Sequence, residues 1–351
     1  MGLFDDVLRS DQTLIKNESA LDYEFLPKML PYRENEQKYI AAAIAPLLAG
    51  RNARNLMIHG PPGIGKTAAT KAVLRELEEK VDELDIVFLN CWKHNSTHKI
   101  ALEICDQIGY KFTQNKRTPE LYKIISGIVN KKGCVLVFDE IDKAEEYDFL
   151  YTLLEEVYKR SILLITNYRS FLLELDERIK SRLTPELLEF KSYSQKETEG
   201  ILRDRLSYAF FDNVFTDDAF KIIADKTYEH KDIRVGIFLL REAALIAEGE
   251  SKKKIEKAHA EAALTKLDDF ATKKTGELDE EAQLILGVVR KHPGSKIGDL
   301  FREYEKAGGK ASYKTFQRKI AILDEGRFVS LAKEKGAGGN TTIVNKSLSE
   351  Y

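Results

Sequence analysis

Gly60-Pro61-Pro62-Gly63-Ile64-Gly65-Lys66-Thr67 fills every fixed position of the G-x-x-x-x-G-K-[ST] phosphate-binding pattern. The flanks have the form such a loop needs. Before it, Leu56-Met57-Ile58-His59 is a short apolar run suited to a buried strand. After it, residues 68–80, beginning with Ala68, are rich in Ala, Leu, Glu and Lys, with Val73, Leu74 and Leu77 spaced as a helix face. A strand, a glycine turn and a helix N-terminus together aim backbone N–H groups and the positive end of the helix dipole at one point. The glycines let the backbone approach phosphates closely. Lys66 is expected to reach the β- and γ-phosphates and the Thr67 hydroxyl to ligate Mg²⁺. The stretch predicts a nucleoside triphosphate site.

Four further apolar runs, 86–90, 134–138, 161–166 and 186–190, alternate with helical stretches. Continuous Val/Ile/Leu runs separated by helices predict parallel strands buried on both faces. Residues 26–191 therefore read as an α/β nucleotide-binding domain, entered through an extended 26–35 stretch with two prolines and a helix over about 36–49. Residues 1–25 are polar and aperiodic, and read as an N-terminal arm. After 191 the strand signal disappears. Ser194 and Glu197 form a capping box opening a helix to about 210. Helices over about 216–229, 232–248 and 252–267 complete a small all-helical lid, 192–267. Residues 268–280 read as a polar linker. The remainder, 281–351, reads as helices 281–291, 296–307 and 313–325, then strands at about 327–333 and 341–345 around a glycine-rich tip. Three helices and a β-wing make a winged helix-turn-helix, a DNA-docking layout.

At 351 residues the chain has material for two or three domains. The longest uncharged stretch, 39–50, has about a dozen residues against the roughly 20 that span a bilayer, and no secretory signal opens the sequence. Three cysteines without regular spacing suggest reduced thiols and a cytoplasmic protein. The net charge of −2 hides an asymmetry: residues 278–351 carry 13 Lys/Arg and 10 Asp/Glu, which makes the C-terminal piece the favoured landing place for a polyanion.

Asp139-Glu140 ends the third apolar run, where ligands sit in open α/β sheets. Asp139 is expected to hold Mg²⁺, directly or through water. Glu140 is the residue to orient water on the γ-phosphate. Asn167, at the end of the next run, either helps position that water or simply forms a turn. In the third C-terminal helix, Phe316, Ile320 and Leu323 share one face, with Lys314, Gln317, Arg318 and Ala321 opposite. Gln and Arg suit base edges and Lys suits phosphate. Lys333 and Lys335 stand beside the glycine-rich tip. Cys91, His94 and His98 have a zinc-like spacing with no fourth ligand at a suitable distance along the chain, so no metal site is expected there.

GPPGIGKT (60–67), VFDEID (137–142), LLITN (163–167), DERIKSR (176–182) and DIR (232–234) stand in the order and spacing of an AAA+ ATPase. With the winged helix, the chain from about residue 26 resembles the archaeal-type origin-recognition and replication-initiator AAA+ proteins. The resemblance implies ATP or ADP as cofactor with Mg²⁺, and slow hydrolysis used as a switch. It also implies duplex origin DNA and a replicative helicase as partners, with self-association on DNA allowed. Asn167 takes the sensor-1 position. Arg234 takes the sensor-2 position, reaching from the lid to the γ-phosphate. Arg182, or else Arg178, is the finger serving a neighbouring subunit. The 26–33 stretch, with Leu26 and Arg33, would cover the adenine. Residues 92–118 occupy the place of an extra helical element, where Lys93, Lys99, Lys111, Lys116 and Arg117 could touch DNA or merely be solvated. Two features depart from the family pattern: Lys231 stands where a glycine usually precedes Asp232, and the pI of about 6.4 is low for a DNA-binding protein. The rival reading is a protein-remodelling or signalling ATPase whose winged helix makes protein contacts.

Overall fold

The five strands form where the apolar runs predict them. They are β1 (Leu56–His59), β2 (Asp85–Asn90), β3 (Cys134–Asp139), β4 (Arg160–Thr166) and β5 (Glu186–Glu189). The computed structural model describes residues 13–27, 30–276, 280–325, 329–336 and 339–346. The chain divides into two compact units, Asp22–Glu197 and Met1–Leu21 with Thr198–Tyr351.

In the first unit the strands make one parallel sheet in the order β2-β3-β4-β1-β5. This order sets the C-terminal ends of β3, β4 and β1 side by side. Helices α1 (Glu34–Ile44), α2 (Lys66–Lys80), α3 (Thr97–Gln107), α4 (Thr118–Val129), α5 (Asp148–Glu156) and α6 (Glu177–Leu183) complete the unit. β1 and β3 are buried throughout, but β5 alternates between half-buried and exposed. The expectation of burial on both faces fails for β5 because it is an edge strand. Its Glu186 turns outward and accepts hydrogen bonds from Tyr39 (2.6 Å) and Arg54 (3.2 Å). On the opposite edge, the Gln107 side chain both accepts from the Phe88 N–H and donates to the Phe88 carbonyl, each at 2.9 Å, closing part of the open ladder of β2. The helix expected over 36–49 stops at Ile44 and continues as a 3-10 turn, Ala45–Ala49, because Pro46 cannot donate to the α-helical ladder.

The region 92–118 is only partly an appendage. Ile100, Ala101, Ile104 and Cys105 of α3 are fully buried with Leu121 and Ile125 of α4 in the main core. The exposed parts include Trp92 before α3 and the connection after it, where Phe112 is 80% exposed.

The lid contains α7 (Gln195–Ala209), α8 (Asp217–His230), α9 (Ile233–Gly249) and α10 (Lys257–Gly276). The Ser194–Glu197 capping box is present, with Glu197 accepting from the Ser194 N–H at 2.7 Å. α10 runs through most of the stretch expected as a linker. Nothing between Lys257 and Gly276 stops the helix, since that interval holds neither Gly nor Pro. The N-terminal arm also differs from expectation. From Thr13 onward it docks on the lid: Lys16 and Asn17 donate their N–H groups to the Ala209 carbonyl (2.7 and 3.0 Å), and Leu14 donates to Glu248 at 2.6 Å. Leu14, Ala20 and Leu21 are buried, and Arg205 donates to the Ala20 carbonyl. Three apolar residues spaced too widely for any period gave no sequence signal. Residues 1–12 lie outside the described ones.

At the C-terminus α11 (Glu280–Lys291), α12 (Ile297–Lys306) and α13 (Tyr313–Glu325) precede the hairpin β7 (Val329–Gly336) and β8 (Gly339–Lys346). A two-residue strand, β6 (Ser295–Lys296), adds to β8 and gives the sheet order β6-β8-β7. This is the arrangement of a winged helix, with one short strand beyond those the sequence predicts. No helix among the described residues is long and apolar enough to cross a membrane.

Candidate active site

The loop after β1 enters α2 through Gly65, the helix N-cap, at φ +87°. Two of its glycines are constrained, Gly60 by a backbone clash and Gly65 by its positive φ together with a side-chain contact. A Cβ on Gly60, at φ +149°, would lie 2.2 Å from the Phe190 carbonyl oxygen, and one on Gly65 would lie 2.9 Å from the Tyr193 hydroxyl. Lys66, Thr67 and Ala68 begin α2, so their N–H groups stand at its open end. Lys66 is 7% exposed, and its Nζ donates to the carbonyls of Gly60 and Pro61 (both 2.7 Å) and to Asn167 Oδ1 (2.9 Å). Pro62 and Gly63 form the turn between, and Ile64 is buried.

The adjoining strand ends bring in the acidic residues. The Thr67 hydroxyl donates to the Asp139 carboxylate at 3.0 and 3.2 Å, and the Glu140 N–H donates to it at 3.1 Å. Asp139 is buried, and that burial pushes its carboxyl up to about 6 against the favourable hydrogen bond from Thr67. A buried carboxylate beside a threonine hydroxyl offers the oxygen donors that suit a bound cation. Glu140 has φ 52° and ψ 46°, a left-handed conformation that costs a side-chain-bearing residue about 1–3 kcal/mol and is typical of functional turns. Just beyond, Asp142 accepts from the Thr166 hydroxyl at 2.8 Å, tying the turn after β3 to the end of β4 beside Asn167. The sequence reading did not single out Asp142, although VFDEID contains it.

Two of the predicted arginines belong to α6 and the third to α9. Arg182, on α6, lies 3.6 Å from Glu155 and 4.9 Å from the centre of the Tyr151 ring. Arg178 is gripped by Asp176 through Nε and Nη2, at 3.0 and 3.3 Å. Arg234 belongs to the lid, where Asp232 caps α9 and also accepts from the Arg234 guanidinium (2.5–3.1 Å). Leu26 is half-buried at the start of the extended stretch, of which Lys28 and Met29 lie outside the described residues. Arg33 is 4% exposed and bonded to backbone carbonyls.

The Cys91, His94 and His98 side chains diverge. Cys91 is core and its thiol is held well above the usual range by burial; His94 pairs with Glu103, and His98 with the Thr118 hydroxyl. Among the described residues no three metal-ligating side chains stand together.

Residues 49–175 match the family described as AAA domain, and residues 199–265 match the Cdc6 AAA+ ATPase-type lid domain. ORC1-type DNA replication protein 1 of Sulfurisphaera tokodaii is 31% identical, covering 99% of this chain and 94% of its own. The chain belongs to the ORC1-type DNA replication protein family. A second relative, ORC1-type DNA replication protein 1 of Archaeoglobus fulgidus, is 29% identical over 92% of this chain and 84% of its own. The fold matches the Aeropyrum pernix ORC1 protein in complex with DNA, with a TM-score of 0.71 at 24% identity over 96% of this chain and 95% of that one. It also matches Cdc6p of Pyrobaculum aerophilum, with a TM-score of 0.66 at 17% identity over 96% of each chain. The chain is thus a nucleotide-binding AAA+ ATPase of the ORC1 type.

The ORC1-type chain also carries the C-terminal helix singled out from sequence. In α13, Phe316, Ile320 and Leu323 are fully buried against Tyr304, Leu300 and Val344. Lys314, Gln317, Arg318 and Ala321 are exposed on the other side. The backbone of Lys333 and Lys335 lies in β7, and their side chains lie outside the described residues.

Proposed function

We propose that the chain is an ATP-switched replication initiator that binds origin duplex DNA and helps bring in the replicative helicase. The observation that carries the reading is the union, in one chain, of a complete phosphate-binding loop with α13, whose exposed face holds Lys314, Gln317 and Arg318. The backbone N–H groups from Gly63 to Ala68 and the Lys66 ammonium would take the phosphates, while Gly60, Pro61 and Pro62 shape the turn. Thr67 and Asp139 fit Mg²⁺, which when bound neutralises charge on the phosphates. Glu140 orients the attacking water, and Asn167, already hydrogen-bonded to Lys66, faces the same phosphate. Arg234 reads the nucleotide from the lid. Arg182 of a second subunit, with Arg178 as the alternative, supplies the remaining positive charge, so the isolated protein hydrolyses ATP slowly. On DNA, Gln317 and Arg318 face base edges, while Lys314, Lys333 and Lys335 meet phosphates. That a relative of the same fold is described in complex with DNA supports this reading.

The test is fluorescence anisotropy with labelled duplex DNA at two salt concentrations, comparing wild type with Lys314→Ala/Arg318→Ala. Two lost phosphate or base contacts are expected to weaken binding by roughly tenfold or more and to flatten the salt dependence. Equal binding by the two proteins removes α13 as the contact. No binding by either, even at low salt, overturns the initiator reading.

A further inference from the structure

Arg33 is an arginine buried almost completely, a rare state that calls for a partner on each guanidinium nitrogen. The partners are present. Nε and Nη2 both donate to the Ile64 carbonyl, at 3.2 and 3.1 Å. Nη2 also donates to the Lys191 carbonyl at 2.6 Å, and Nη1 pairs with Glu36 at 2.8 Å. The guanidinium lies 4.0 Å from the centre of the Tyr193 ring and 5.1 Å from that of Phe190. Those two aromatics floor the phosphate loop: Tyr193 sits beneath Gly65, and the Phe190 carbonyl closes on Gly60.

We infer that Arg33 is a positioning residue that sets the orientation of the phosphate loop, rather than a side chain that covers the base. The inference rests on the nucleotide-site reading above. A trans peptide points its C=O and N–H in opposite directions, and no cis peptide bond occurs among the described residues. The peptide that carries the Ile64 carbonyl also carries the Gly65 N–H. Two guanidinium donors that draw the carbonyl to the Arg33 side therefore turn the Gly65 N–H the other way, where the N-terminus of α2 receives an anion. A planar fork that also stacks on rings does this; a lysine offers neither property. The sequence gives no hint of it, because Arg33 is 31 residues from Ile64 and 158 from Lys191.

The experiment separates the phosphate tail from the base. Wild type, Arg33→Gln and Arg33→Lys, as full chains, are titrated with ATP and with inorganic tripolyphosphate, which has no base. Circular dichroism sets a temperature at which each protein is folded. The positioning role predicts that both ligands weaken in Arg33→Gln by a similar factor, on the order of tenfold, with a smaller common loss in Arg33→Lys. Tripolyphosphate affinity unchanged while ATP weakens assigns Arg33 to the base and overturns the inference. Unchanged affinity for both ligands overturns it as well. Should Arg33→Gln not fold, Arg33→Lys carries the same comparison. Failure of wild type to bind either ligand, with Lys66→Ala no different, instead removes the nucleotide reading itself.

Discussion

Asp139 carries its charge at a cost. Burial raises its carboxyl from 3.8 to about 6, so the folded state holds a proton more tightly than the unfolded one between those values. Stability from this group is full below about pH 4 and is lost as pH rises through 6. That rise corresponds to at most about 3 kcal/mol. Asp139→Asn in metal- and nucleotide-free protein is therefore expected to raise the unfolding midpoint at pH 7.5 and to raise it clearly less at pH 4.5. Thermal unfolding at the two pH values checks this, and an equal loss at both would show that the Thr67 and Glu140 hydrogen bonds outweigh the buried charge. At this scale the sequence revealed the chemistry better than the environment. Lys66, Thr67, Asp139 and Asn167 were legible from motif position, whereas the Asp142–Thr166 bond and the left-handed Glu140 arise from how two strand ends meet.

At the scale of the element, the helix boundaries follow local chemistry, and the one that ends α8 is strained. Lys231 follows α8 at φ 52°, in the left-handed region that a C-terminal cap favours for glycine. The departure from the family's usual glycine thus leaves the shape of the turn intact and places the strain on the lysine backbone. Left-handed geometry costs a side-chain-bearing residue roughly 1–2 kcal/mol, partly offset in glycine by its greater unfolded-state freedom. Lys231→Gly is expected to stabilise the lid by up to about 1 kcal/mol, read as a raised urea midpoint at constant m-value. A lowered midpoint would show that the lysine side chain holds the turn. Conversely, α10 outran its expected end because a run without Gly or Pro gives no local stop.

At the scale of the molecule, the C-terminal piece has a core of its own, built from Ile285, Leu286, Val289, Leu300, Tyr304, Phe316, Ile320 and Val344. Tyr304 joins its helices, donating to Glu281 at 2.7 Å and accepting from the Ala311 N–H at 2.9 Å. Its ring leaves no room for a Cβ on Gly309, which would fall 2.1 Å away. A fragment spanning 278–351 is accordingly expected to unfold cooperatively by circular dichroism. A fragment that shows no cooperative transition would mean that this core is completed by residues outside it.

What the sequence determined by itself is what depends on near neighbours. The glycine-lysine loop, the apolar strand runs, the capping box at Ser194 and the two faces of α13 all lie within a few residues, where period and capping operate. What the tertiary structure alone decided depends on residues far apart in the chain. The strand order set β3, β4 and β1 side by side and brought Asn167 to Lys66 across 101 residues and Asp139 to Thr67 across 72. The same folding left β5 at an edge, laid residues 13–21 on the lid, and buried Arg33 beneath the phosphate loop. These arrangements follow from closing long loops around a common core, and such closure leaves no periodic mark in the sequence.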